Sequence, residues 1–183
     1  MRASQLSDGR TVLNVFSYSG GFSLSAAKGG ATKVTSIDMD PHAIDALKKH
    51  VQMNRAIHSA IRACEFEELT GDAFEMMQKL IQKKRKFDLV IVDPPSFAKS
   101  ENEVPSALHS YGRLAKMADT LLKNKGILMF ASCSSRVSST QFFQTVLSNS
   151  HVTEFERTSH APDHPAKFPE TSYLKCLYAV KNP

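Results

Sequence analysis

Tryptophan is absent from the 183 residues, and cysteine occurs only three times, as Cys64, Cys133 and Cys176. The cysteines are widely spaced and odd in number, with no CxxC pair and no histidine cluster at zinc-ligand spacing. Neither a disulfide framework nor a structural zinc site is therefore expected. That usage points to a metal-free protein in a reducing, cytoplasmic compartment. Long apolar runs are missing as well. No stretch approaches the ~20 apolar residues of a membrane span, and Met1-Arg2-Ala3-Ser4-Gln5-Leu6 lacks the apolar core of a secretory signal. A soluble, unprocessed chain with no membrane partner is expected. No low-complexity segment or repeat interrupts it.

The length suits one domain, residues 1–183, with a core large enough to need no staples. Twenty-three Lys and Arg against 18 Asp and Glu leave a formal charge of +5. Such a surplus agrees with a polyanionic partner and equally with a merely well-solvated surface. The densest basic run, Lys83-Lys84-Arg85-Lys86, reads as a solvated helix end whose cations complement the helix dipole.

Apolar runs of strand length alternate with segments of helical period, the pattern of an α/β fold with a parallel sheet. Strands are expected at Thr11–Phe16, Lys33–Asp38, Glu65–Thr70, Phe87–Asp93 and Gly126–Ser132. Pro41 opens a helix in which Ile44, Leu47 and Val51 recur at helical spacing, with Asn54 as a further candidate on that face. Small residues Leu24–Lys28, then Ala73–Lys84 and Pro105–Lys123, supply further helices. Ser138 or Ser139 can cap another through about Asn149. Two late strands, Thr153–Thr158 and Ser172–Val180, are joined by a Pro-, His- and Asp-rich loop, Ser159–Thr171, and form an antiparallel edge pair.

The first strand runs into Ser17-Tyr18-Ser19-Gly20-Gly21-Phe22-Ser23 at the start of a helix, where free N–H groups and close backbone approach suit a nucleotide. Only Gly20 and Gly21 of a Gly-x-Gly-x-x-Gly pattern are present, which disfavours a dinucleotide. Asp38, ending the second strand, can accept from both hydroxyls of a ribose, or can cap the next helix, for which Asp40 is better placed. Asp72, in Thr70-Gly71-Asp72-Ala73-Phe74, can accept from an adenine amino group or serve as a plain N-cap.

Asp93-Pro94-Pro95-Ser96-Phe97 follows the fourth strand. The prolines stiffen the backbone and remove two donors, leaving fixed carbonyl acceptors able to read an exocyclic amino group, and Phe97 offers a ring for stacking on a base. The alternative is a purely structural turn. Cys133, in Ser132-Cys133-Ser134, follows the fifth strand, so a parallel sheet brings this thiol and the Asp93 carboxylate to one crevice. Alone, Cys133 reads first as a small buried hydrophobe; with Asp93 it suggests covalent chemistry on a planar substrate such as a nucleobase. Cys64, Cys176 and His164 are assigned structural roles.

The ordered set Asn14-Val15-Phe16-Ser17-Tyr18-Ser19-Gly20-Gly21-Phe22, Asp38, Gly71-Asp72-Ala73-Phe74, Asp93-Pro94-Pro95-Ser96-Phe97 and Ser132-Cys133-Ser134 resembles the class I S-adenosylmethionine-dependent methyltransferases. Within them it is most similar to the bacterial large-subunit ribosomal RNA 5-methylcytosine enzymes of the RlmI type. The late segment Asp163-His164-Pro165, Phe168-Pro169-Glu170 and Tyr173-Leu174-Lys175 resembles that group too. Asp-Pro-Pro alone is shared with many amino-group methylases; its combination with Ser-Cys-Ser is far more specific.

The resemblance implies a Rossmann-like α/β fold, with a seven-stranded, mostly parallel sheet, an antiparallel carboxyl-terminal edge pair and helices on both faces. It implies S-adenosyl-L-methionine as cofactor, held by Phe16, Ser17, Tyr18, Ser19, Gly20, Gly21, Asp38, Met39, Asp72, Ala73 and Asp93. It implies Cys133 and Asp93 as catalytic residues, Pro94, Pro95, Ser96 and Phe97 as the substrate loop, and ribosomal RNA as partner. Related RNA enzymes carry a second cysteine after the proline of the Asp93 loop; Ser96 stands in that neighbourhood, so a one-cysteine mechanism is implied. The RNA-binding PUA domain and connecting domain of the RlmI type are not in this sequence. A nitrogen-directed methyltransferase on purine or protein, and a non-catalytic cofactor-binding remnant, stay open beside this reading. The oligomeric state stays open too, a homodimer included.

Overall fold

Short runs of apolar, β-branched and small polar residues that are buried on both faces satisfy their backbone at the centre of a sheet covered on both sides. The computed structural model describes residues 2–160 and 173–183. In it such runs become β1 (Thr11–Val15), β2 (Lys33–Asp38), β4 (Phe87–Val92) and the second half of β5 (Leu122–Ser132). With β3 (Glu65–Thr70), β6 (Val152–Thr158) and β7 (Lys175–Lys181) they make one seven-stranded sheet in the order β3-β2-β1-β4-β5-β7-β6. β1 to β5 are mutually parallel. β6 and β7 form the expected antiparallel edge pair; β7 lies between β5 and β6 and is antiparallel to both, so β6 runs again in the common direction.

The helices are α1 (Arg2–Gln5), α2 (Gly21–Lys28), α3 (Pro41–Arg55), α4 (Ser59–Ala63), α5 (Ala73–Gln82), α6 (Val104–Leu121) and α7 (Ser139–Ser148). Alternation along β1 sends Leu13 and Val15 to a core shared with α5, α6 and α7, and sends Val12 to the opposite core, under α1, α2 and α4. Fully buried chains such as Leu13, Phe130 and Phe142 each contribute ~1.5–3 kcal/mol. Asn14 also faces α2, donating to Ser23 Oγ at 2.9 Å, while Ser23 and Ser36 hydroxyls meet at 2.8 Å. These small polar side chains let α2 lie close against the strands.

α3 starts as expected, with Pro41 in its first turn and Asp40 accepting the His42 N–H at 2.9 Å. Ser138 caps α7 reciprocally with Gln141. α6 stops at Leu121 rather than Lys123, because Leu122–Lys125 already belong to β5. A register shift between Phe87 and Leu89 and a left-handed Lys125 (φ 61°) absorb the change of direction. The short α1 and α4 were not anticipated. Asp163, His164, Pro165, Phe168, Pro169 and Glu170 lie outside the described residues, as does the first part of the expected Ser172 strand.

At the edge strand, Arg85 donates to Glu67 at 2.9 Å and Thr35 Oγ1 donates to it at 3.0 Å. Arg85, foremost, holds the Glu67 carboxyl down at about 2. At the other end of the parallel strands, Ser134 Oγ accepts the Ala98 N–H at 3.2 Å and lies 3.0 Å from Ser96 Oγ. Ser134 N donates to Ser132 Oγ, which sits 2.9 Å from the buried Tyr111 hydroxyl. The turns after β4 and β5 are thus stitched together.

Two outcomes test these contacts. A carboxylate whose folded pKa is depressed stabilises fully above its ordinary value and loses that contribution as pH falls. Glu67→Gln should therefore lower the melting temperature at neutral pH, with the gap to wild type closing from about 4.5 towards about 2 in thermal scans. Ser134→Ala leaves the Ala98 amide buried without its acceptor and should cost about 1–3 kcal/mol in denaturant unfolding, with faster hydrogen exchange at Ala98.

Candidate active site

Sheet order reverses between β1 and β4, and ligands of open α/β sheets bind outside the strand ends at such a point. After β1 the chain turns through two non-glycine residues in the left-handed region, Phe16 (φ 63°) and Tyr18 (φ 46°), before Gly20 at φ 91°. Each such residue costs of order 1–3 kcal/mol unless its surroundings hold it. They do so here. Ser17 N donates to the Ile37 carbonyl at 2.9 Å, Tyr18 N donates to Asp38 Oδ2 at 2.7 Å, and His50 Nδ1 lies 2.9 Å from the Ser19 carbonyl. A Cβ on Gly20 would stand 2.7 Å from Leu47 Cγ, so glycine is required by space as well as by angle.

Asp38 spends one acceptor position on Tyr18 and another on the Asp40 N–H at 3.0 Å, leaving further lone pairs for a ligand. Beside it Met39 and Tyr18 are 74% and 71% exposed, an unusual solvent exposure for large apolar groups and suited to a planar ligand. Ser17 Oγ is buried with no hydrogen-bond partner. Asp72 is exposed and caps α5 through the Glu75 N–H at 3.1 Å, while Ala73 is buried beneath it. Tyr18 and Asp38 are joined by a hydrogen bond, and the Gly71 N–H before Asp72 donates to the Asp38 carbonyl at 2.9 Å, so these expected cofactor residues gather at the ends of β1, β2 and β3. An unpaired hydroxyl, open carboxylate positions and exposed apolar faces there fit a nucleoside.

Asp93, half-buried, begins the next turn. Burial pushes its carboxyl above the ordinary carboxylate value. Pro94 is buried, Pro95 exposed, and Phe97 packs its ring on Phe16 and Tyr111 at 6.3 and 5.2 Å between centroids, seating the turn on the core. Across from it, Ser132 and Ser134 point inward to the stitch, so Cys133 between them points out, half-buried, its thiol 3.9 Å from the Pro94 carbonyl. Burial first and Asp93 second push the Cys133 thiol up, while Lys175 pulls it down. Burial carries Cys64 and Cys176 further, to about 11 and about 12, which suits inert core thiols.

Sequence reasoning missed Lys175. It is buried at the start of β7, donates to the Ser134 carbonyl at 2.7 Å, and shares with Asp93, Phe22, Ala131 and Cys176 a cavity of about 300 Å³. The available signal was a cation heading an otherwise apolar strand. The left-handed Phe16 and Tyr18 had no such signal. Among the described residues no cluster of His, Cys, Asp and Glu could hold a metal ion, and no helix is long and apolar enough to cross a membrane.

Comparison with known proteins follows the same lines. A family profile described as conserved hypothetical protein 95 matches residues 2–150. A ribosomal RNA large subunit methyltransferase of Deinococcus radiodurans is 40% identical over 97% of this chain and 43% of its own length. Ribosomal RNA large subunit methyltransferase I of Serratia proteamaculans is 36% identical over 96% of this chain and 45% of its own. The chain thus spans less than half the length of these curated relatives. Among solved structures, a Streptococcus mutans protein provisionally described as a SAM-dependent methyltransferase superposes with a TM-score of 0.83 at 22% identity, covering 98% of this chain and 46% of that one. NSun6 from Pyrococcus horikoshii gives 0.74 at 11% identity, covering 100% and 50%. The fold is that of the Rossmann-like class I methyltransferases, and the chain, similar to the large-subunit ribosomal RNA methyltransferases of type I, belongs to the conserved hypothetical protein 95 family.

Proposed function

We propose that this chain is the catalytic region of an S-adenosyl-L-methionine-dependent RNA methyltransferase that forms 5-methylcytosine in large-subunit ribosomal RNA through a covalent Cys133 adduct. The observation that carries this reading is the seating of a half-buried, outward-pointing thiol, Cys133, against the Asp93-Pro94 turn at the sheet's crevice. The names of the similar proteins support the ribosomal RNA substrate.

When bound, S-adenosylmethionine supplies an electrophilic methyl group. Ser17, Tyr18, Asp38, Met39 and Asp72 would hold it: Asp38 at the ribose, Asp72 at the adenine amino group, Met39 and Tyr18 against the ring. Cytosine carbon 5 is a poor nucleophile, so the chain must first raise its electron density. The Cys133 thiolate adds to carbon 6, forming a carbon–sulfur bond and pushing a pair of electrons towards ring nitrogen 3. Asp93, whose burial raises its affinity for a proton, is placed to carry one to that nitrogen and neutralise the developing charge. The Pro94 carbonyl, left without competition from a proline N–H, is a fixed acceptor for the exocyclic amine. Carbon 5 would then take the methyl group as the sulfonium carbon–sulfur bond breaks, its electron pair staying on sulfur in a neutral thioether. Water takes the carbon 5 proton, the freed pair restores the carbon 5–carbon 6 double bond, Cys133 leaves with its bonding pair, and the nitrogen 3 proton returns to Asp93.

Cys133→Ala should abolish turnover and the trapped adduct on 5-fluorocytosine RNA while leaving calorimetric cofactor binding intact. An active Cys133→Ala enzyme would instead mark a nitrogen-directed methylase, and absence of cofactor binding in the parent chain a non-catalytic remnant. Asp93→Asn separates function from stability. A carboxyl raised above its unfolded value opposes folding when ionised and costs nothing once protonated in both states. The variant should therefore lose activity yet melt higher than wild type at about pH 7, with the difference vanishing below about pH 3.

A further inference from the structure

β7 is an apolar run headed by a lysine that is only 4% exposed. An ammonium is seldom buried without a counter-charge, because water solvates it so strongly. Among the described residues no carboxylate lies within ion-pair distance of Lys175. Its Nζ donates instead to two carbonyls, Ser134 at 2.7 Å and Tyr173 at 3.0 Å. The antiparallel register pairs Lys175 with Ser132, and the bond from its ammonium to the Ser134 carbonyl brings it to the turn that carries Cys133. The cavity it lines also receives Asp93.

We propose that Lys175 is a positioning residue of the Cys133 site: its buried ammonium pins the Cys133-Ser134 turn through the Ser134 carbonyl and supplies the positive charge against which the Cys133 thiolate is held. Its part in turnover rests on the cytosine reading above; its electrostatic part belongs to the free protein. Several other ionisable groups surround the pair. Asp93 reaches it from the end of β4, Tyr111 from α6 through Ser132, and Cys176 and Tyr178 from β7 itself. His160 Nε2 accepts the Leu174 N–H at 3.2 Å, next to Lys175 in the chain. Arg2 of α1 lines the same cavity, with its guanidinium paired to Glu156 at 2.6 Å. Lys175 is thus the cation of this cavity that has no carboxylate partner among the described residues, and it acts against both burial and Asp93, which push the thiol up. The influence is mutual, since burial lowers the Lys175 ammonium and Cys133 holds it up. On ionisation the Cys133 S–H bond breaks, the electron pair stays on sulfur and the proton passes to solvent. Lys175 keeps its three protons throughout.

The test is alkylation of Cys133 by iodoacetamide across pH, read by mass spectrometry of its own peptide, on the whole chain without RNA. Lys175→Met and Lys175→Gln should raise the midpoint by about one pH unit or more, slowing alkylation about tenfold near pH 7.5, whereas Lys175→Arg restores it towards wild type. A folded Lys175→Gln protein with an unchanged midpoint would overturn the proposal, because a purely structural clamp moves only the melting temperature. Should the neutral variants not fold, the reciprocal coupling is read in Cys133→Ser. There the carbon-13 resonance of Lys175 Cε should titrate at lower pH than in wild type, and an unmoved titration overturns the proposal. Both couplings present with no adduct on 5-fluorocytosine RNA would sink the cytosine reading alone; adduct formation without either coupling would sink the Lys175 proposal alone.

Discussion

One buried hydroxyl holds the reactive face together. Ser134 Oγ accepts from the Ala98 amide and meets Ser96, joining the turn after β4 to the turn after β5. Neither turn has strand partners of its own past the sheet edge, and the prolines of the first have no N–H to offer. Their relative placement therefore depends on side-chain hydrogen bonds, which are worth little when water competes and much when it is excluded. Tyr111, wholly buried between Phe97, Phe130 and Phe142, excludes it. The direction of Cys133 follows: with both neighbouring serines pulled inward, an extended backbone turns the residue between them outward.

The cofactor loop uses the same device with charge. Two left-handed non-glycine residues are retained because Asp38 fixes the Tyr18 amide and the Ile37 carbonyl fixes Ser17. Asp38 is thus at work before any ligand arrives, and the loop is already shaped, which spares a ligand the entropy of ordering it. Strain of this kind concentrates where function requires a particular backbone.

Much of this was legible in the order of the residues. The alternation of apolar runs and helical periods placed β2 and β3 at their observed bounds, and Asp40-Pro41 marked the start of α3. The parallel-sheet rule was enough to set the turns that carry Asp93 and Cys133 side by side, since it needs only strand ends. Other features depend on register or on long-range packing. Nothing in Leu121-Leu122-Lys123 breaks a helix, so the switch to β5 is decided by pairing with Phe87 rather than by local preference. Phe16 and Tyr18 carry no mark of their left-handed backbone. Lys175 stood only within a late segment resembling the family, and its burial depends on the antiparallel pairing that sets it opposite Ser132.

The reversal of β7 has a further consequence for the order in which the site is made. As a chain emerges from the ribosome, everything through β5 can assemble before β7 exists, and domains tend to fold in that direction. Lys175 arrives 42 residues after Cys133 and only by slotting a late strand between β5 and an edge strand that precedes it. A nascent or half-built molecule therefore has the Cys133-Ser134 turn without the lysine that binds its carbonyl, and completion of the fold is the event that fixes that turn in place.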